Sequence, residues 1–205
     1  MDQNQALSNL DYLKTLAESG QRTPLLGGAI GLMWTVLLVP TLIVSGLVLR
    51  GDIALPAENI GFVWFVFGIT GGILTAIMSR GLKHAKGGGT AANKVASTIW
   101  PASSVLIFGF AISIAVGFSL GNLPELAFNF IMPFAFATSA LSNIVLARMT
   151  GETYLRYAFF MAALFVVITT LIASRPEAYF AAALGVVLSG IIPSFIEVRK
   201  EAARD

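Results

Sequence analysis

The chain has 205 residues, of which 56% are hydrophobic and only 12% charged, with a formal net charge of +2 and a mean hydropathy of +0.81. Water-soluble domains carry about 25% charged residues, so this composition excludes a solvated globular fold and implies a polytopic membrane protein. Most of the basic residues stand at the ends of apolar runs, which argues against nucleic acid as a partner. The lack of cysteine excludes disulfides, thiolate chemistry and iron–sulfur ligation.

The chain opens with QALSNLDYLKTLAESG (5–20), in which Ala6, Leu10, Leu13 and Ala17 share one helical face and Ser8, Asp11, Thr15 and Glu18 the other. Gly20 and Pro24 supply stop signals. The pattern predicts an amphipathic interfacial helix over 5–19 within a cytoplasmic segment 1–23. Its acidic residues, and the absence of an early apolar core with a cleavage site, set it apart from a signal peptide.

Six helical spans are expected over 24–198, at about 25–49, 59–79, 95–118, 126–147, 154–173 and 178–197, followed by a cytoplasmic tail 199–205. No apolar–polar alternation supports a β-barrel, and in lipid a run of this length satisfies its backbone as a helix. The fold class is therefore all-α. The short loops GDIALPAE (51–58), GNLPE (121–125) and SRPE (174–177) each place a proline and then a glutamate before an even-numbered span, and those spans finish in cations. The chain thus reads as three successive αα-hairpins.

Eleven of the thirteen Lys and Arg residues fall on one side of these spans: Lys14, Arg22, Arg80, Lys83, Lys86, Lys94, Arg148, Arg156, Arg199, Lys200 and Arg204. Only Arg50 and Arg175 fall on the other. Retained positive charge predicts that both termini face the cytoplasm. The stretch SRGLKHAKGGGTAANK (79–94) is then the largest cytoplasmic loop. It lacks the G-x-x-x-x-G-K-[ST] spacing of a phosphate cradle, and His84 has no neighbouring ligand for a metal, so it reads as a linker with basic ends.

Small residues recur at four-residue spacing in span two (Gly68, Gly72, Ala76), span three (Gly109, Ser113, Gly117) and span six (Ala181, Gly185, Ser189). Such spacing lets helices approach closely, and contacts within the chain are expected at all three. No charged residue stands in the middle of a span. This argues against a proton-coupled carboxylate, an intramembrane haem site and a Ser–His–Asp hydrolase. No catalytic, cofactor-binding or metal-binding residues are expected. The polar residues at depth are mild: Asn129, Pro133 and Asn143 share one face of span four, while Pro40, Pro101 and Pro193 interrupt spans one, three and six. Glu152 and Arg156, four apart at the start of span five, are expected to pair with each other at the interface.

The acidic lead helix, PLLGG (24–28), the glycine-rich basic loop running into NKVASTIW (93–100), and the prolines of IMP (131–133) and IIP (191–193) occur in an order that resembles a group of six-span bacterial inner-membrane proteins. The resemblance covers the whole chain. It implies a bacterial inner-membrane location and brings no ligand, partner or catalytic residue with it.

Three functions remain open to the sequence. The first is a non-enzymatic accessory or regulatory subunit, packed in the lipid bilayer against a membrane-protein partner or a second copy of itself. The second is a small channel or transporter for an uncharged or weakly held solute. The third is a binder of an apolar lipid, quinone or carotenoid, with Trp34, Trp64 and Trp100 as candidate lining.

Overall fold

The computed structural model describes residues 25–56, 59–82 and 88–203. The expected amphipathic helix 5–19 and the loop residues Lys83, His84 and Lys86 lie outside the described residues. Five helices, α1 (Gly28–Arg50), α2 (Ile60–Leu82), α3 (Ala91–Ser119), α4 (Ile131–Thr150) and α5 (Thr153–Leu171), precede a composite last span. That span consists of α6 (Glu177–Val186), a π-helical turn (Val187–Ile191) and α7 (Ile192–Ala202). No strand occurs among the described residues. Six helical stretches are long and apolar enough to cross a membrane, so the chain is a multi-pass membrane protein.

Local chemistry sets the helix ends. At the end of α1, Gly51 adopts a left-handed φ of 83°, which lets its N–H donate to Val48 and the Asp52 N–H reach back to Leu47. A residue with a Cβ is strained there. Thr90 caps α3 by accepting from the Asn93 N–H, which starts that helix earlier than the apolar run alone suggests. Span four begins as a 3-10 stretch, Glu125–Phe130, and becomes α-helical only at Ile131.

The start of α1 is capped from a distance. Gly27 precedes the helix and has no side chain to offer, so neighbours supply the acceptors. The Asn93 carboxamide oxygen accepts from the Leu26 N–H at 2.8 Å. Glu201 of α7 accepts from the N–H groups of Gly27 and Gly28 at 2.8 and 3.2 Å. A carboxylate there also meets the positive end of the helix dipole. Glu201→Ala should lower stability in detergent by roughly 0.5–2 kcal/mol, with Glu201→Gln losing less. Equal melting of Glu201→Ala and the parent protein would show that solvent serves those N–H groups as well.

Across the bundle the helices follow the order α2, α1, last span, α5, α4, α3. The broadest contact joins α4 to α5 and α1 lies along the last span, while α1 with α2, α3 with α4 and α5 with the last span also lie side by side. Two apolar clusters fill the interior. One, far from the termini, gathers Leu42, Met132, Phe136, Ala140, Ala162, Phe165, Tyr179 and Val186. The other, at the end where the described chain begins and finishes, gathers Leu25, Ala92, Ala96, Leu146, Ala147, Tyr154 and Leu155, with Ile196 packed on it. By contrast, only 6% of the apolar window of α2, and the same share of α3, is buried by the rest of the chain. Those two helices form the margins.

Candidate functional site

The two apolar clusters leave a layer between them, and its level can be read from the contacts that flank it. An ideal Cβ on Gly185 would lie 2.6 Å from the Phe136 ring, above the layer, while Ala147 and Ile196 share the cluster below it. Asn143 lies between Phe136 and Ala147 on α4. On the α1 side, a Cβ on Gly190 would meet Thr35 at 2.6 Å and one on Gly31 would meet Ser194 at 2.9 Å. These contacts seat Gly31–Thr35 of α1 against the π-turn and Ser194 of the last span.

This is where backbone hydrogen bonding in the last span is disturbed. The Ile192 N–H donates to the Val187 carbonyl, a π-type bond. Leu188, whose carbonyl an α-helix would pair with Ile192, faces Pro193 as its next possible donor, and proline has no N–H. The wider turn relieves the clash a proline ring makes with the preceding turn. A π-turn of this kind is enriched at functional sites.

Most side-chain hydroxyls in the spans are satisfied by their own helix. Thr41, Ser45, Thr75, Ser113, Thr169 and Ser189 each donate to the carbonyl four residues before. Ser103 of α3 and Ser142 of α4 bond to each other at 2.9 Å, buried. Among the described residues of the spans, the side chains of Thr70, Ser139, Asn143, Thr153, Tyr154, Tyr157 and Ser194 make no such hydrogen bond. Asn143 is only 5% exposed. No fully sealed side-chain nitrogen or oxygen among the described residues lacks a partner, so the carboxamide of Asn143 is not wholly enclosed.

Asn129 and Pro133 lie toward the start of span four, well before Asn143. Asn129 lies in the 3-10 stretch at the far end, where its Nδ2 donates to the Ala173 carbonyl at 2.6 Å and its Oδ1 accepts from the Tyr179 hydroxyl at 2.9 Å. Both ends of the amide are occupied in tying span four to the turn between α5 and α6. Pro133 is buried in the first turn of α4, where a missing N–H costs nothing, so it is not a mid-span kink. The shared face expected from 100° per residue is interrupted by the change of helix type between Asn129 and Ile131.

The small-residue stripes separate in the same way. Gly185 is buried between Phe136 and Phe165, beside Ala181 and Ser189 on the same helix. Around Gly72 and Gly109, however, an added Cβ would meet nothing within 4 Å, and Ala76 and Ser113 are exposed. Gly68 has only the Phe108 ring at 3.8 Å, and Gly117 is covered by Leu123 of the following loop. The expected contacts within the chain are thus absent at Gly72, Ala76, Gly109 and Ser113. The close approach on α2 is made one position earlier, at Gly71, against the indole of Trp34, whose Nε1 donates to Thr75 at 2.8 Å.

Glu152 does not pair with Arg156. It forms an ion pair with Lys200, whose ammonium also sits 4.9 Å from the centre of the Tyr154 ring, and Arg156 points outward, exposed. The last helix delivers Lys200 to the start of α5, which no local spacing reveals. Sequence reasoning also missed Glu197. Its side chain lies against Gly28 of α1, with no ion-pair partner among the described residues. Ser194, Glu197 and Glu201 recur at three and four positions on α7, facing Gly31, Gly28 and Gly27 of α1. That spacing was the available signal.

No family model, curated protein or solved structure matches this chain.

Proposed function

We propose that this protein is a non-enzymatic accessory or regulatory subunit of the bacterial inner membrane, with both termini cytoplasmic, acting by lateral helix packing against a membrane partner. The observation that supports this reading most is the uncovered pair of marginal helices. On α2 and α3 the small residues Gly72, Ala76, Gly109 and Ser113 stand open, flanked by exposed Ile69, Ile73, Val105 and Ile112. In lipid there is no hydrophobic drive for helices to associate, so close approach over small residues is the main source of affinity. The orientation rests on the eleven-to-two division of Lys and Arg.

A cysteine-free chain makes the test direct. Single cysteines at Gly72 and Gly109, carrying a short photoactivatable crosslinker in native membranes, should give a discrete adduct with one partner protein. Val167, lipid-facing on α5, is the control position. A defined adduct from Gly72 and Gly109 but not from Val167 is the expected result. Adducts only with lipid at all three positions would overturn the docking reading, and an adduct of twice the chain's own mass would identify the partner as a second copy.

A further inference from the structure

We infer that the bundle end where the described chain begins and finishes binds an anionic phospholipid on the exposed face of α5. Arg156, Thr153 and Tyr157 hold the lipid phosphate, and the neighbouring cations Lys94 and Arg148 add to the field. The inference goes beyond the docking reading and does not rest on it. Lys94 stands fifteen positions before Gly109 on α3, roughly 22 Å away along the helix.

The first ground is a set of donors that the chain leaves unused. At the start of α5, Thr153, Arg156 and Tyr157 are exposed and fall within about 100° of one face, opposite the buried Tyr154, Leu155 and Ala158. None of the three side chains makes a hydrogen bond, ion pair or ring contact with a described residue. A guanidinium fork and two hydroxyls converge best on a group with several acceptor oxygens, and a phosphate is such a group.

The second ground is charge. The described carboxylates at this end are engaged elsewhere: Glu152 pairs with Lys200, Glu201 accepts from the start of α1, and Glu197 lies against Gly28. Lys94, Arg148 and Arg156 are exposed and have no ion pair with any described residue. They stand at one level on three successive helices, because their neighbours Ala92, Ala96, Ala147 and Leu155 pack in a single cluster. Lys94 and Arg156 each occupy the first turn of a helix, where the dipole repels a cation. The counter-charge therefore comes from outside the chain. The third ground is what lies deeper. On the face of Arg156, Phe160 and Leu164 follow one and two turns further along α5, both exposed. Leu141, also exposed, stands in the same relation to Arg148 on α4. A cationic rim above apolar stripes fits a ligand with an anionic head and an apolar tail, which is a phospholipid and not free phosphate.

The test titrates full-length protein in mild detergent with phosphatidylglycerol or phosphatidylcholine of identical acyl chains and counts bound lipid by native mass spectrometry. Phosphatidylglycerol should bind at least about fivefold more tightly, and Arg156→Gln should remove about fivefold of its affinity, as expected for one cation at a membrane surface. Arg175→Gln, which deletes an equally exposed cation from the opposite end, should leave the affinity unchanged. The double substitution Thr153→Ala with Tyr157→Phe keeps the charge and should weaken binding about threefold through lost hydrogen bonds. Arg156 and Arg175 are exposed, so both variants should melt with the parent protein before lipid is added. Equal affinity for the two lipids would overturn the inference. So would equal losses in Arg156→Gln and Arg175→Gln, because the effect would then be one of net charge and not of a site. Unchanged affinity in the double substitution would overturn the assignment of the two hydroxyls. Displacement of phosphatidylglycerol by glycerol phosphate would show that the head alone is recognised, and would overturn the phospholipid as ligand.

Discussion

Gly185→Leu should unfold in detergent at a markedly lower temperature than the parent protein, while Gly72→Leu should melt close to it. At Gly185 an ideal Cβ already lies 2.6 Å from both the Phe136 and Phe165 rings. Those rings are 5.8 Å apart by their centroids and belong to two different helices, so neither can withdraw without moving α4 or α5. Overpacking of this kind costs about 1–3 kcal/mol in well-packed cores, and the added isobutyl group places Gly185→Leu at the upper end of that range. Around Gly72 nothing lies within 4 Å, so a leucine there extends into the membrane phase. The measurement is a thermal melt of the purified protein in mild detergent. Similar losses at both glycines would mean that α2 is packed within the chain on the face that is open here. Similar behaviour at parental level would mean that α6 has room to move away.

Asn129→Leu should be the most damaging polar substitution in the chain. It deletes an interhelical hub that holds two partners at once, the Ala173 carbonyl and the Tyr179 hydroxyl. Ala173 and Tyr179 are both buried, so each is left with a polar group that water reaches poorly. Membrane double-mutant cycles put single interhelical hydrogen bonds at about 0.6 kcal/mol, and a stranded buried group adds about 1–3 kcal/mol. A loss of about 2 kcal/mol or more is expected for Asn129→Leu. Tyr179→Phe, which removes only one of the two bonds and leaves the half-buried Asn129 Oδ1 without its donor, should lose about 1 kcal/mol. Measuring both variants and the double substitution separates the two bonds. Additive losses for Asn129→Leu and Tyr179→Phe would show that the hydroxyl and the amide do not act on each other.

The sequence determined that this chain is helical, membrane-spanning and divided into six long apolar helices. Those properties are local. A backbone in hydrocarbon must satisfy its own N–H and C=O groups within the segment, and twenty apolar residues state their environment without reference to any neighbour. Helix ends were legible for the same reason, at Gly51 and at Pro176 with Glu177, because caps and dipoles act over one turn. Which face of each helix meets which neighbour was decided only by the tertiary structure. In water an apolar stripe marks the buried side; in lipid both sides are apolar, and the same small-residue spacing in α2 and α6 led to opposite outcomes at Gly72 and Gly185. Glu152 took Lys200 rather than Arg156 because the last helix ends beside the first turn of α5, a juxtaposition forty-eight positions apart in the chain. Asn129 and Asn143 look alike in sequence, yet one is saturated by Ala173 and Tyr179 and the other is buried without a hydrogen bond. That difference is set by long-range packing, which brings the turn after α5 and the start of α6 to Asn129 in the 3-10 stretch before α4.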